Sequence, residues 1–248
     1  MRAAPMNMND ISRLGFVEKL FSFPSIDSTN TFGQHLDSFP ATGIFVVVAA
    51  RQTQGRGQRG NSFFSGEGGL YASIVCPISD ITLHFSCNRA ISLAIYDAMK
   101  ARCPGAPLFI KWPNDIFWSH KKLCGILLES TARSSSHLVI GFGINVNTPP
   151  DAFPPSLANA TSMKMETGKT FDIADLLGTI CRLFQQYWSM SGPTAHKRYC
   201  RRLYRRGSLV CINGQRGIFE GVNEDGRLSL NTDGGIIAVS SGPMEFVG

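Results

Sequence analysis

The chain reads as an α/β protein, a mixed sheet flanked by helices, followed by a small all-β unit. Three observations predict this. Apolar strand-type runs such as Ile44 to Ala50 alternate with helix-period stripes as far as Arg206. Between Phe171 and Met190 the positions Ile173, Leu176, Leu177, Ile180, Leu183, Phe184, Tyr187 and Trp188 follow the helical period, with Asp172 as cap, and make the clearest helix in the sequence. Beyond Gly207 the pattern changes to short alternating runs punctuated by Asn213-Gly214, Asp225-Gly226 and Asp233-Gly234-Gly235, as in a small barrel. The expected domains are residues 1–206 and 207–248.

In chain order, Asp27, Ser28, Thr29 and Asn30 are cap-type residues ahead of Phe32 and Leu36, so a short helix should begin near Ser28. Ile44 to Ala50 and Leu70 to Cys76 are strands; Phe85 to Met99 carries a helical stripe at Ile91, Ala94, Ile95 and Ala98; Leu108 to Trp112 is a further strand. After the Pro113-Asn114 turn, Ile116 to Trp118 and Leu123 to Leu128 flank the polar stretch Ser119 to Lys122 as a hairpin does. Leu138 to Val146 completes the set, and the loop carrying Pro149, Pro150, Pro154 and Pro155 is of the long irregular kind that is more often functional. The last unit supplies strands at Leu209 to Ile212, Gly217 to Val222, Arg227 to Asn231 and Ile236 to Val239.

Composition narrows the classes. Of 248 residues, 43% are hydrophobic and 17% charged, which excludes general disorder. No apolar run approaches the roughly 20 residues that span a bilayer, and Met1 to Ile11 lacks a basic start followed by an apolar stretch. The expectation is a soluble, cytoplasmic protein with no membrane partner. The seven cysteines are scattered without a Cys-x-x-Cys pair, which argues for buried thiols and against a disulfide framework or a zinc site; no metal ligands are assigned. The net charge of +6 fits a nucleic-acid partner or a site for phosphates and an acidic protein partner. Much of the excess lies in His196 to Arg206, where interleaved aromatics leave open a nucleic-acid surface or a solvated helix leading into a linker.

The most informative stretch is Arg51 to Asn61. Gly55, Gly57 and Gly60 alternate with Arg56 and Arg59 directly after a buried-type strand. Glycine removes bulk and exposes backbone N–H groups, while arginine adds charge-assisted donors, so the segment suits an anion-binding loop. Its spacing fits neither the Walker loop nor the dinucleotide fingerprint. A second cluster, Lys111-Trp112-Pro113-Asn114-Asp115 with Lys122-Leu123-Cys124-Gly125-Ile126-Leu127, would be gathered by the hairpin into a small volume rich in charge. Together the two segments suit a centre that is neutralised and positioned during phosphoryl chemistry.

Asp27-Ser28-Thr29-Asn30, Gln52 with Gly55-Arg56-Gly57-Gln58-Arg59-Gly60, Lys111 to Asp115, Lys122 to Leu127 and Gly141-Phe142-Gly143-Ile144-Asn145 occur in this order. This ordered set resembles biotin protein ligases, the biotin–acetyl-CoA-carboxylase ligases, from about residue 25 to 148, and the order is far more specific than any single motif. The resemblance implies a sheet of the class II aminoacyl-tRNA synthetase and biotin synthetase type with a C-terminal SH3-like barrel. It also implies ATP-dependent ligation of biotin to a lysine of a biotin carboxyl carrier domain through biotinyl-5′-AMP, with Mg²⁺ accompanying ATP. On that analogy Ser28, Thr29, Asn30, Gln52, Arg56, Gly57, Gln58 and Lys122 would bind biotin. Arg56, Arg59, Phe63, Lys111, Asn114, Lys122 and Asn145 would hold ATP. Lys122, Arg56 and Asp115 would be catalytic, with Lys122 stabilising charge that grows in the transition state and Asp115 orienting the incoming lysine or taking its proton. Structural roles compete: Ser28 and Asp27 as a cap, Asn145 as a turn residue, Gln52 as surface.

The chain also departs from the family pattern. Where relatives often carry arginine after Gly57 it has Gln58, which shifts phosphate retention toward Arg56, Arg59 and Lys122, and Phe63 or Phe64 stands where a tryptophan often packs near adenine. Only about 25 residues precede the Ser28 helix, too few for the helix-turn-helix domain of the repressor-type ligases, so the expectation is a monofunctional form without DNA binding. Lipoate ligases are the nearest enzymatic alternative, but no Arg-Arg-x-x-Gly-Gly-Gly segment is present. The non-enzymatic alternative is a basic RNA-binding module built from the Arg56 loop, the run near Arg201 and the barrel. Whether two chains pair as a homodimer through a sheet edge is left open by the sequence.

Overall fold

The strand-type runs pair into a single mixed sheet. In the computed structural model, which describes residues 8–131 and 136–247, its strands are β1 (Val17–Phe23), β2 (Ile44–Ala49), β3 (Leu70–Pro77), β4 (Leu108–Lys111), β5 (Asp115–Trp118), β6 (Lys121–Ser130) and β7 (His137–Ile144). Their order is β1-β2-β3-β7-β6-β5-β4. β1 runs parallel to β2 and every other neighbour is antiparallel. The helices are α1 (Met8–Ser12), α2 (Thr29–Gln34), α3 (His84–Arg102), α4 (Met163–Thr167), α5 (Ile173–Trp188) and α6 (Gly192–Cys200).

Alternation along the strands gives the sheet two unlike faces. Leu138, Ile140, Phe142 and Ile144 of β7 join the main core beneath α3 and α5, with Ile91, Ile95, Leu177, Ile180 and Phe184. Arg102 of α3 clamps the two helices by donating to Asp175 Oδ2 and, at 3.0 Å, to Thr179 Oγ1. Val139 faces the other way, into a smaller cluster with Leu36, Phe45 and Val75 under the rings of Phe21, Phe32 and Phe39. The short helix α2 covers only part of this second face. Its packing on Val75 and Val139 at Gly33 leaves the neighbouring bare stretch of β6 and β7 open. The site lies there.

Two segments differ from the sequence reading. β1 was not among the expected strands, because Glu18, Lys19 and Ser22 break its apolar alternation and it sits at the sheet edge. The run His196 to Arg206 is not a solvated helix: α6 ends at Cys200, Tyr199 and Leu203 are buried, and Arg202 is ion-paired with Asp97 at 3.0 Å. Ile110 N–H donates to Arg202 O and Tyr204 N–H to Ile110 O, each at 2.8 Å, so this run covers the exposed edge of β4.

The C-terminal unit contains β8 (Leu209–Ile212), β9 (Gln215–Val222), β10 (Leu228–Thr232), β11 (Gly235–Val239) and β12 (Met244–Phe246), in the order β11-β10-β9-β8-β12 and antiparallel throughout. It is the small all-β unit that the turn signals predict, with β12 added, and it is consistent with the SH3-like barrel that the resemblance implies. Asn213 and Gly214 both take positive φ, 52° and 79°, as a tight hairpin turn requires. Its β9–β10 turn docks on the larger sheet: Trp112 Nε1 donates to Gly226 O at 2.9 Å. All seven cysteines are free thiols. Among the described residues no helix is long and apolar enough to cross a membrane; residues 1–7 of the segment read for targeting features lie outside the described residues.

Candidate active site

The first wall grows from the start of α2. Ser28 takes extended backbone and its Oγ accepts from Thr31 N–H at 3.4 Å, the cap expected from its residue type. This buries Ser28, Thr29 and Asn30 at the sheet face. Thr29 N–H donates to Gln52 Oε1 at 2.8 Å, and Gln52 Nε2 donates to Ser65 Oγ at 2.8 Å, so Gln52 is a built-in element and not surface.

The second wall is the glycine and arginine loop. It folds back on itself: Gly57 N–H donates to Asn61 O at 2.7 Å, and Arg59 takes the left-handed conformation at φ 58°. Arg56 Nη2 meets Glu129 Oε1 at 2.6 Å and Nη1 meets Gln34 Oε1 at 3.2 Å, tying the loop to β6 and α2. The Gly57 amide is therefore spent within the loop.

The floor is glycine. Gly125 of β6 and Gly143 of β7 are direct register partners, and a Cβ on them would stand 2.9 and 2.2 Å from the Phe63 ring. A Cβ on Gly141 would collide with Asn30 Oδ1 at 2.0 Å. These glycines leave a flat patch of sheet on which a ring can lie.

The β5–β6 hairpin supplies charge. Lys122 Nζ pairs with Asp115 Oδ1 at 2.8 Å. The Lys122 backbone is held by Asn159 O, at 2.8 Å from its N–H, and by Thr161 N–H, at 2.9 Å from its carbonyl, so the end of the Pro-rich loop fixes this strand. Asn114 Nδ2 donates to Ile126 O at 2.7 Å, and Asn88 of α3 holds Pro113 O at 3.0 Å. Burial pushes the Lys111 ammonium below its usual range; Asp115 opposes that shift and Lys122 adds to it.

Three connected spaces meet here. The innermost, of about 50 Å³, brings together Ser28, Thr29, Asn30, Gln52, Arg56, Gly57, Gln58, Phe63, Asn114 and Lys122. A cleft of about 210 Å³ adds Arg59, Lys111 and Asp115 and is bordered by Gly242, Pro243 and Met244 of the C-terminal unit. A third space of about 90 Å³ contains Asn145, whose Nδ2 donates to Thr161 O at 2.9 Å, with Phe153 and Leu157 of the Pro-rich loop. Lys122 and Phe63 line all three. Every residue singled out from the motifs thus lies in one connected site, although Arg59, Lys111, Asp115 and Asn145 stand outside its innermost part. Motif reasoning missed the roles of Glu129, Ser73, Ser65 and the glycine floor. Only the last had a signal, the two-residue spacing of Gly141 and Gly143, which puts both on one face.

An anion-grade loop, a flat floor and a lysine at their junction suit acyl activation by a nucleotide. Residues 22–145 match the biotin/lipoate A/B protein ligase family, and residues 215–247 match the biotin protein ligase C-terminal domain. A biotin–[acetyl-CoA-carboxylase] ligase of Paracoccus denitrificans is 30% identical over 238 residues, covering 90% of this chain and 98% of its own length. The bifunctional ligase/repressor BirA of Bacillus subtilis (strain 168) is 30% identical over 235 residues, covering 89% of this chain and 72% of its own. Among solved structures, a biotin protein ligase from Aquifex aeolicus in complex with biotin and ATP superposes with a TM-score of 0.80 at 26% identity, covering 93% of this chain and 99% of that one. The chain belongs to the biotin/lipoate A/B protein ligase family, on its biotin protein ligase side.

Proposed function

We propose that this site activates biotin with ATP and passes the biotinyl group to a lysine of a biotin carboxyl carrier domain. The observation that carries the reading is the junction at Lys122, which lines both the inner space beside the biotin-side wall and arginine loop and the neighbouring cleft. In the first step a biotin carboxylate oxygen attacks the α-phosphorus of ATP, the bond to the β-phosphate oxygen breaks, and pyrophosphate leaves. In the second, the carrier amine attacks the acyl carbon, AMP departs and the amine loses a proton. Lys122 and Arg56 supply positive charge where negative charge accumulates on the reacting oxygens. Asp115, 2.8 Å from Lys122, sets the direction of that ammonium and lies on the cleft through which a lysine would enter.

The bicyclic head of biotin fits the inner space, where the Ser28 hydroxyl and the Thr29 and Gln52 dipoles offer polar contacts. At about 50 Å³ that space is contracted relative to the roughly 300 Å³ or more of a typical small-ligand pocket, so Phe63 leaves the Gly125–Gly143 floor when ligand enters. The nucleotide takes the two neighbouring spaces, near Arg59, Lys111 and Asn114 on one side and Asn145 on the other. Mg²⁺ comes with the phosphates. Among the described residues no three His, Cys, Asp or Glu side chains converge as a protein-built metal cage would, and Asp115 is the carboxylate at the cleft. A cytoplasmic setting and a domain boundary near residues 206 and 207 belong to the same reading. The lipoate alternative is not favoured, since the similar proteins are named as biotin ligases.

Pyrophosphate release tests the proposal. It should depend on biotin in the presence of ATP and Mg²⁺; dependence on lipoate, or tight RNA binding without turnover, would contradict it.

A further inference from the structure

One carboxylate bordering the site, bonded to Arg56 and Asn30 of its lining, has no role in the reaction described above. Glu129, near the end of β6, has an 18% exposed side chain, and its Oε1 accepts from Arg56 Nη2 at 2.6 Å. Its Oε2 accepts from Asn30 Nδ2 at 2.8 Å. Asn30 also donates to Leu127 O at 3.2 Å, and its Oδ1 accepts from Ser73 Oγ at 2.7 Å. Ser73 Oγ also lies 2.8 Å from Thr29 Oγ1, whose hydroxyl donates to Gln52 Oε1 at 3.1 Å. Thr29 N–H continues to Gln52 Oε1 at 2.8 Å, Gln52 Nε2 to Ser65 Oγ at 2.8 Å, and Ser65 Oγ to Phe63 O at 3.1 Å. The chain of bonds leaves the arginine loop at Arg56, crosses β6, α2 and β3, and returns to the same loop at Phe63.

Two consequences follow from the donor count. Both amide hydrogens of Asn30 are spent, so Asn30 serves as a link in the wall and not as a donor to ligand. Arg56 gives N–H groups to Glu129 and Gln34 and keeps others for an anion in the cavity it lines.

We infer that Glu129 is a positioning residue for adenylation: its two oxygens fix the Arg56 guanidinium toward the reacting anions and, through Asn30 and Ser73, fix the Thr29 and Gln52 dipoles on the biotin side. The inference rests on the biotin ligase reading of the cavity. The geometry is specific to a carboxylate. Both Glu129 oxygens accept from donors, so an isosteric glutamine sets its NH₂ against either Asn30 or Arg56, and aspartate is too short to span the two.

The test uses the full chain and compares wild type with Glu129→Gln, Ser73→Ala, Arg56→Ala and the Glu129→Gln/Arg56→Ala double variant. Glu129→Gln is expected to lower kcat for biotin-dependent pyrophosphate release about tenfold and to raise the KM for biotin, because both ends of the network lose alignment. Ser73→Ala keeps the Arg56–Glu129 pair and should raise the biotin KM while sparing kcat. A purely structural lesion reduces active enzyme and leaves KM unchanged. The kcat of the double variant should fall little below that of Arg56→Ala alone, while its biotin KM still rises through the Asn30 arm. Wild-type constants in Glu129→Gln, or kcat effects that multiply in the double variant, would overturn the inference. Hydrogen exchange of ligand-free protein reads the tie without turnover: amides of residues 51–66 should exchange faster in Glu129→Gln, and unchanged exchange would contradict it. Absence of biotin-dependent pyrophosphate release by wild type would strike the functional reading instead, with the exchange comparison still deciding the tie.

Discussion

Two arginine-rich segments of this chain look alike in composition and end in opposite roles. In the loop from Arg51 to Asn61 the cations alternate with glycine, the Arg56 side chain is 44% exposed, and the backbone curls over a cavity. In the run from His196 to Arg206 they alternate with tyrosine, leucine and cysteine, and most of the guanidiniums are taken up by the protein itself. Arg202 pairs with Asp97 and lies 4.9 Å over the Tyr96 ring, Arg205 lies 4.7 Å over Phe246, and Arg206 donates to Glu220 O. Interleaved aromatics therefore mark a strut along the β4 edge here, and interleaved glycines mark a site. Bulk next to a cation gives it something to pack on, while its removal leaves donors free for a ligand.

Substitutions in the two regions should separate activity from stability. Arg56→Ala is expected to slow adenylate formation about 100-fold while costing about 1 kcal/mol of stability, measured by single-turnover kinetics and denaturant titration. Gly143→Ala puts a Cβ 2.2 Å from the Phe63 ring on the cavity floor. Its biotin KM should rise about tenfold, worth about 1.4 kcal/mol, with a smaller change in kcat. Arg202→Met should do the reverse. It removes the ion-pair partner of Asp97, leaving Tyr187 OH as its donor, and costs about 1–2 kcal/mol of stability, with kcat per folded molecule preserved. The smallest effect concerns Glu18, which accepts from Thr42 and Gly43 N–H at 3.0 and 2.6 Å. These bonds hold its carboxyl below the usual range, so its contribution is present above the unfolded pKa and is lost as pH falls through the folded one. Glu18→Gln should flatten that acid limb in pH-dependent unfolding without altering turnover at neutral pH.

The same contrast explains what was legible in the sequence. The Ser28 cap, the β5–β6 hairpin and α5 follow from local spacing, because a cap, a turn and an amphipathic stripe are each decided within a few residues. The motif order along the chain assembled the rest of the site, from Gln52 and Arg56 to Lys122 and Asn145. Glu129 and Ser73 escaped because they act on Arg56 and Asn30 across the sheet, and nothing in a glutamate or serine on a strand announces a partner far away in sequence. The basic run escaped for another reason. Cation and aromatic side chains alternate in the same way on a nucleic-acid surface and on a buried edge, and only the neighbours Asp97, Tyr96 and Phe246 decide between them.

The central claim is that biotinyl-adenylate forms around Lys122, beneath the glycine and arginine loop. Its most direct measurement is a single turnover with labelled biotin, ATP and Mg²⁺ in the absence of carrier, comparing wild type with Lys122→Ala. Wild type should accumulate bound biotinyl-adenylate and release pyrophosphate in equal amount, and Lys122→Ala should do so at least about 100-fold more slowly. Full adenylate synthesis by Lys122→Ala would contradict the account.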